Sequence, residues 1–190
     1  MPDNPRRVAI IGAGMAGLAC AMALHAAGLE VTLFDKGRRP GGRLATRRTG
    51  TLSFDHGAPY AIAEGPSFSA FVTGAEGLLA AWKPVGDRRR WVGVPGMSAF
   101  AAAAGQRGIG TLLPRRQVTF LSQDAAGWHL RHLDAAATRP GTVIDDGEKA
   151  GPFDRIVLAL PAPQAAGLLA ALGHPFTARV AAVRMDPAGC

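Results

Sequence analysis

The order of apolar and polar positions in the first 35 residues predicts a βαβ unit. Residues 8–11 form a continuous, β-branched-rich apolar run, which is typical of a parallel strand buried on both faces. The mostly small residues from 15 to 27 predict a helix, and Gly28 is well placed to end it because glycine favours the left-handed conformation there. Residues 30–34 predict the second strand.

Later elements are spaced less regularly. Residues 37–50 are too rich in Gly, Arg and Pro to predict a regular element, and residues 138–152 are polar and turn-rich. The elements predicted from residue 52 onward are, in chain order, a short strand at 52–54, a helical pattern at 66–81, a strand at 90–94, a helix at 97–104, an antiparallel hairpin at 117–121 and 128–132, a buried strand at 154–160 and a helix at 164–172. This order predicts an α/β fold, a Rossmann-like sheet whose crossover is a β-meander.

A GxGxxG motif lies directly between the first strand and the first helix, which is the context that a dinucleotide-binding turn requires. Its six residues are Gly12, Ala13, Gly14, Met15, Ala16 and Gly17. In such a turn the first glycine permits the sharp bend, the second admits a pyrophosphate and the third lets helix and strand pack closely. The helix N-terminus adds unpaired N–H groups and a positive dipole end.

An acidic residue at the end of the second strand supports this interpretation. Asp35 lies 18 residues after Gly17, where a carboxylate can accept both hydroxyls of an adenosine ribose. A carboxylate there also repels a 2′-phosphate, which argues against NADP, although Lys36, Arg38 and Arg39 weaken that argument. The alternative, a simple strand-to-helix turn, does not require the acid.

The choice between NAD and FAD rests on a second glycine turn at residues 39–43. Its glycines and flanking arginines suit another side of the same pyrophosphate, which favours FAD. An ordinary surface turn would have the same composition, so this alternative stays open at the level of spacing.

The formal charge of +7 comes almost entirely from arginine. The arginines are scattered in short groups without interleaved aromatic residues, which argues against nucleic acid and favours an anionic small-molecule cofactor or substrate.

Cys20 and Cys190 have no spacing suited to a disulfide framework or a metal site, so no metal is expected and a reducing, cytoplasmic setting fits. The apolar run at 8–28 is too interrupted by glycine for a membrane span, and a Rossmann N-terminus explains it better than a signal peptide does.

In combination these motifs resemble the renalase-like branch of the FAD-dependent amine oxidase superfamily. The matching segments are residues 8–17, Asp35-Lys36, Gly41-Gly42-Arg43 with Thr46, 54–60, 91–97 and 159–165. The resemblance implies a two-domain flavoprotein with FAD extended across the Rossmann-like domain. The domain boundaries expected from it are 1–62 for the first segment of the FAD-binding domain, 63–91 for part of a substrate-side insertion and 92–190 for the continued FAD-binding domain.

The resemblance also implies roles for particular residues. Those expected at the cofactor are the glycine motif with Gly42 at the pyrophosphate, Asp35 with Lys36 at the ribose, Arg43 at the phosphates or ribityl chain, Val118 at the adenine, and His56, Gly57 and Ala58 near the flavin. A structural role for His56 and a core position for Tyr60 are the alternatives for those two residues. The activity implied is oxidation of dihydronicotinamide compounds, with hydride passing to the flavin and electrons to oxygen.

Two departures from the family pattern limit these expectations. Pro59 replaces a glutamine that is usual there, and the family continues beyond Cys190 through its substrate domain and a closing segment of the FAD site. We therefore expect a C-terminally truncated member of the family. Two other functions stay open: a non-catalytic nucleotide-binding remnant, and an amine oxidase proper, which would need an aromatic cage that the sequence does not display. The substrate and the oligomeric state are left open.

Overall fold

The computed structural model describes residues 6–85, 88–139 and 141–186. The elements are, in chain order, β1 (Arg7–Ile11), α1 (Met15–Ala26), β2 (Glu30–Asp35), a 3₁₀ turn (Gly42–Leu44), β3 (Thr46–Thr49), β4 (Leu52–Asp55), β5 (Ala61–Ile62), α2 (Pro66–Thr73), β6 (Leu79–Val85), β7 (Arg88–Gly93), α3 (Ala99–Gln106), β8 (Thr111–Pro114), β9 (Arg116–Asp124), β10 (Gly127–Asp134), β11 (Glu148–Phe153), β12 (Arg155–Leu158), α4 (Ala162–Ala171) and α5 (Thr177–Ala181). Cys190 lies outside the described residues.

A four-stranded parallel sheet in the order β12, β1, β2, β8 forms the centre of the fold. Its two middle strands are the apolar runs of the βαβ unit, and Ile10 and Leu33 are completely buried there. Parallel strands covered on both faces need such continuous apolar sequence. The helix α1 packs on one face, together with α3, whose Phe100 is also fully buried.

Three smaller antiparallel sheets surround the parallel one. The strands β9, β10 and β11 form the meander between β8 and β12, and β3 pairs with β4 in a short hairpin. The third sheet has the order β5, β7, β6 and lies next to α2 in the chain. The meander covers the other face of the parallel sheet, because Phe34 of β2 packs against His132 and Phe153.

The predicted α/β class with a meander crossover is confirmed, and so is the opening βαβ unit. The helix α1 ends one residue earlier than predicted, and Gly28 takes the expected positive φ of 79°. The hairpin expected at 117–132 is present as β9 and β10, and it is extended at both ends of each strand. The division at residues 62 and 91 stays a prediction, and residues 61–93 contain the separate β5, β7, β6 sheet.

Several predicted elements were wrong in type or extent. The helical pattern at 66–81 ends at Thr73, since Gly74 and Gly77 follow and residues 79–82 pair with β7 instead. Residues 46–49, predicted to be irregular, form β3 because they pair with β4 around the turn at Gly50. Residues 148–152, predicted to be turn-rich, belong with Phe153 to β11, an edge strand of the meander. In each case pairing with another strand overrode the local composition.

Three short elements were not predicted, namely β5, β8 and α5. The strand β8 is brief and apolar only at its centre, and its parallel partner β2 lies about 80 positions earlier in the chain, so local pattern gives little signal for it. None of the helices in the described residues is long and apolar enough to cross a membrane. The cytoplasmic setting stays a prediction.

Burial of one histidine predicts a loss of stability in acid. Burial lowers the pKa of His132 below its ordinary value, and the nearby charge of Glu148 opposes this while that of Arg116 adds to it. As the pH falls through about 6.5, the unfolded chain takes up a proton at this imidazole before the folded chain does. The free energy of unfolding should therefore fall between pH 7 and pH 5, by at most about 1.4 kcal/mol per pH unit from this single group.

Urea unfolding at several pH values checks this. The variant His132→Gln should have a shallower pH dependence than the wild type, whereas His25→Gln, at an exposed histidine of α1, should keep the wild-type slope. Identical slopes for all three proteins would contradict the account.

Candidate functional site

A cleft of about 1280 Å³ lies at the carboxyl ends of β1, β2 and β12. Open parallel sheets bind their ligands at this edge, because the strand ends and the following loops leave a crevice there. The first and second glycine loops, at residues 12–17 and 37–45, form much of its wall. Other parts of the wall come from β3, His56, the start of β9, the loop at 141–143, the segment after β12, Leu168 of α4 and residues 183 and 185.

The first glycine loop leaves space only where a ligand would need it. Gly12 has a φ of 104°, and a Cβ there would lie 2.5 Å from the carbonyl oxygen of Ala159. A Cβ on Gly17 would overlap the carbonyl oxygen of Gly12, so this glycine lets α1 pack against the turn. A Cβ on Gly14, by contrast, would meet no atom within 4 Å and would point into open space. Gly12 and Gly17 therefore have the turn and packing roles expected of them, and the pyrophosphate contact at Gly14 stays a prediction.

The backbone of Ala13 ties the loops together. Its N–H donates to Asp35 Oδ2 at 2.6 Å, and its carbonyl oxygen accepts the N–H of Gly41 at 2.8 Å. Ala13 is completely buried, so both polar groups depend on these partners. Ala13 does not line the cleft but fixes the residues that do.

The carboxylate of Asp35 has a second partner. Its Oδ1 accepts the N–H of Gly37 at 2.6 Å, so one oxygen holds the first loop and the other holds the turn after β2. A carboxylate has about four lone-pair positions, which leaves capacity for a ribose hydroxyl at the cleft. The ribose contact stays a prediction, and the structure adds a scaffolding role that the sequence did not indicate.

The second glycine loop packs directly on the first. Gly41 and Gly42 both have positive φ values, and a Cβ on Gly42 would lie 3.3 Å from the Cα of Gly14. The N–H of Ala58 donates to the carbonyl oxygen of Arg43 at 2.9 Å, and a Cβ on Gly57 would overlap that same oxygen. Contacts on both sides show that this loop is part of the cleft wall and not an ordinary surface turn.

The structure brings most of the predicted cofactor residues to one cleft. Those that line it are Gly12, Gly14, Met15, Ala16, Asp35, Lys36, Gly42, Arg43, His56 and Val118. Those that do not line it are Ala13, Gly17, Gly57 and Ala58. The latter four support the loops from behind, through the backbone contacts described above.

Sequence analysis missed part of the wall. The segment after β12, Leu158 to Ala162, lines the cleft and could have been found, since β12 was predicted and ligands sit at the carboxyl ends of parallel strands. Gln117, Thr142 and Val143 also line it. No local pattern marks these three residues, because only the docking of the meander brings them there.

Positive charge dominates the cleft. Seven cationic side chains and one carboxylate, that of Asp35, are among its lining residues; the cations are Lys36, Arg38, Arg39, Arg43, Arg47, Arg48 and Arg116. None of these seven forms an ion pair with a carboxylate in the described part of the chain. An anionic ligand would supply the charge that the protein does not.

The residues present fit the ADP half of a dinucleotide. The Gly14 side of the cleft is open, the N-terminus of α1 has no side-chain cap, and arginines flank the second loop. Uncapped helix N–H groups beside a glycine turn are a common pyrophosphate site. Within residues 6–85, 88–139 and 141–186, no group of three His, Cys, Asp or Glu side chains could hold a metal ion.

Comparison with known families agrees with this geometry. The model of the NAD(P)-binding Rossmann-like domain matches residues 10–75, which include both glycine loops and Asp35. This match covers about a third of the chain. The fold class predicted from the sequence is thereby confirmed.

Curated relatives match this chain over a short stretch. An L-amino-acid oxidase from Daboia russelii is 49% identical over 46 residues, and one from Pseudechis australis is 53% identical over 46 residues. These residues are 24% of this chain but only 9% of each oxidase. The chain thus covers less than a tenth of the length of these relatives.

Solved structures share the fold over most of the chain. A protein named as a protoporphyrinogen oxidase, from Exiguobacterium sp. 255-15, has a TM-score of 0.64 at 14% identity, covering 87% of this chain and 61% of that one. A putrescine oxidase solved with putrescine has a TM-score of 0.61 at 12% identity, covering 83% and 58%. These two likenesses show a shared fold, and the short match to L-amino-acid oxidases agrees with the FAD-dependent amine oxidase superfamily and the FAD cofactor predicted from the sequence. The renalase-like branch stays a prediction.

Two glycine variants separate packing from ligand access. Gly17→Ala should lower the free energy of unfolding by about 2 kcal/mol or more, because the added methyl overlaps Gly12. Gly14→Ala should cost less than about 1 kcal/mol, since its φ of −70° suits alanine and its methyl meets no atom. The same Gly14→Ala methyl occupies the phosphate path, so FAD affinity should fall at least about tenfold.

Urea unfolding and FAD titration of both variants measure these effects. A Gly14→Ala protein that binds FAD as the wild type does would place the pyrophosphate elsewhere.

A variant of Asp35 tests the scaffolding role. In Asp35→Asn the amide nitrogen must face one of the two backbone N–H donors, so the free energy of unfolding should fall by about 1–3 kcal/mol. Urea unfolding measures this, with Glu76→Gln at an exposed acid as the control that should change little. Equal stability of Asp35→Asn and wild type would show that these two bonds contribute nothing.

Proposed function

We propose that this protein is an FAD-dependent oxidoreductase that oxidises a dihydronicotinamide compound, as the renalase-like family does. The observation that carries the proposal is the pair of interlocked glycine loops that opens onto a strongly cationic cleft. The loops fit the ADP half of FAD. The charge of the remaining wall fits a second, phosphate-bearing molecule better than it fits a cationic one.

The charge balance supports an anionic substrate. FAD brings two negative charges in its pyrophosphate, whereas the cleft has a surplus of cations well beyond two. Arg47 and Arg48 line the cleft from β3, which follows the second glycine loop in the chain. The second loop is the one proposed to hold the pyrophosphate. The guanidinium groups of Arg47 and Arg48 can hold the phosphates of a dihydronicotinamide nucleotide.

A partly buried aromatic residue, close in sequence to the second loop, also disfavours amines. Tyr60 follows shortly after Ala58, which is bonded to Arg43, and the guanidinium of Arg90 lies 4.3 Å from the centre of the Tyr60 ring. Because the Arg90 guanidinium already lies over this ring face, the face is not open to an amine cation. The core position considered for Tyr60 from the sequence is not what the structure has, since its side chain is only partly buried.

The proposed reaction requires little acid–base catalysis from the protein. When bound, FAD would supply the hydride acceptor, and oxygen would take the electrons onward. The protein must hold the donor ring and the cofactor in contact and keep the donor's phosphates in place, which is a matter of orientation rather than of acid–base catalysis. This agrees with a cleft whose lining residues include one carboxylate and one histidine.

A flavin amine oxidase is the second candidate. It is favoured by the similarity to L-amino-acid oxidases over 46 residues and by the fold shared with putrescine oxidase. The two candidates differ in substrate charge, because amines carry the same sign of charge as the cleft.

Peroxide formation separates these functions. The protein saturated with FAD is incubated with dihydronicotinamide isomers of NAD(P)H, with putrescine and with an L-amino acid, and hydrogen peroxide is measured. Free FAD at the same concentration is the control for spontaneous oxidation. We expect peroxide from the dihydronicotinamides alone, with a rate that falls as salt screens the arginines.

Other outcomes are equally clear. Peroxide from the amine or the amino acid alone would replace the proposal by amine oxidation. FAD binding without peroxide from any of the compounds would indicate a non-catalytic nucleotide-binding protein.

A further inference from the structure

The second glycine loop is followed at once by a hairpin whose base carries a polar pair. Thr46 and Asp55 are directly opposite each other in the β3–β4 register. The hydroxyl of Thr46 donates to Asp55 Oδ1 at 2.5 Å. We call this pair the clasp.

The clasp reaches a different element of the fold. Asp55 Oδ1 also accepts the N–H of Met97 at 2.9 Å, and the hydroxyl oxygen of Thr46 accepts the N–H of Ser98 at 3.0 Å. These two N–H groups belong to the turn that begins α3, where the first donors of a helix have no partner within it. The N-cap Ser98 makes no capping bond with its own side chain. The clasp therefore caps α3 from outside.

Local packing is adapted to the clasp. A Cβ on Gly96 would lie 2.7 Å from both Thr46 Oγ1 and Thr46 Cγ2, and 3.1 Å from Asp55 Oδ1. Only a residue without a side chain lets the turn approach this closely. Met97 and Phe100, which follow, are almost completely buried, so the clasp is anchored on a rigid part of the core.

We infer that the clasp is a positioning device for the FAD site: it fixes the second glycine loop against the core. The loop is held at its start by the bond between Gly41 and Ala13, at Arg43 by the N–H of Ala58, and at its end by Thr46. Without the clasp, the end of the loop, including Arg43, would become ordered only when FAD binds. The entropy lost in this ordering would weaken FAD binding. This inference rests on the FAD site of the proposed function.

The variants are chosen to change the clasp, and because Thr46 also lines the cleft, hydrogen exchange at residues 97–98 is measured beside FAD affinity. Thr46→Val keeps the shape of the side chain but removes its donor and its acceptor, whereas Thr46→Ser keeps both. Ser53→Ala is the matched control, since Ser53 lies on the same hairpin face, two residues before Asp55. Asp55→Asn keeps an acceptor oxygen and loses only the charge, and it serves if Thr46→Val does not fold.

Two measurements are made on each full-length chain at a temperature where circular dichroism shows it folded. The first is the dissociation constant of FAD by titration, and the second is amide hydrogen exchange at residues 41–45 and 97–98. In Thr46→Val we expect FAD to bind about tenfold to one-hundredfold more weakly, the range for lost hydrogen bonds to a charged group, and exchange to become faster in both segments. Thr46→Ser and Ser53→Ala should stay within about threefold of the wild type, and Asp55→Asn should fall between.

The outcomes distinguish this inference from the proposed function. A folded Thr46→Val, or Asp55→Asn in its place, that binds FAD as tightly as the wild type overturns the inference alone. The inference also fails if Thr46→Ser is as weak as Thr46→Val, since the hydroxyl would then not matter. A wild-type chain that binds no FAD overturns the proposed cofactor site itself.

Discussion

The site depends on the backbone of one buried residue. Ala13 lies out of reach of water, and its two polar groups are bonded to the Asp35 carboxylate and to the N–H of Gly41. Leaving either group without a partner would cost about 1–3 kcal/mol. The first loop, the end of β2 and the second loop must therefore fold together, and the same bonds that remove this cost shape the cleft wall.

Charge then determines what the shaped cleft can hold. The loops place backbone N–H groups and the α1 N-terminus on one side, while arginines from the second loop, the β3–β4 hairpin and β9 surround the space. Asp35 contributes the one acid of the lining, and both its oxygens already accept backbone N–H groups. The cleft therefore attracts phosphates strongly, which connects the packing of the loops to the proposed handling of FAD and of a phosphorylated dihydronicotinamide.

What could be predicted from the sequence was the part that is local. The strand, glycine turn, helix and acid within residues 7–35 interact with their near neighbours, so their pattern was sufficient. The hairpin β3–β4 was missed because Thr46 to Thr49 are polar or charged and form a strand only through their partners. Gly57 and Ala58 were expected at the cofactor, but they contact the backbone of Arg43 on the side away from the cleft. Their position depends on the path of the chain after the hairpin. The meander residues beside Val118 line the cleft because the whole meander sheet packs there. No local sequence pattern predicts that packing.

Competition between FAD and ADP tests the central claim most directly, since the claim is that the two interlocked loops hold the ADP half of the cofactor. FAD is titrated into the apo-protein by the change in flavin absorbance, without ADP and with increasing ADP. The account predicts one FAD per chain and an apparent dissociation constant that rises in proportion to the ADP added. Absence of FAD binding, or FAD binding that ADP does not weaken, would contradict it.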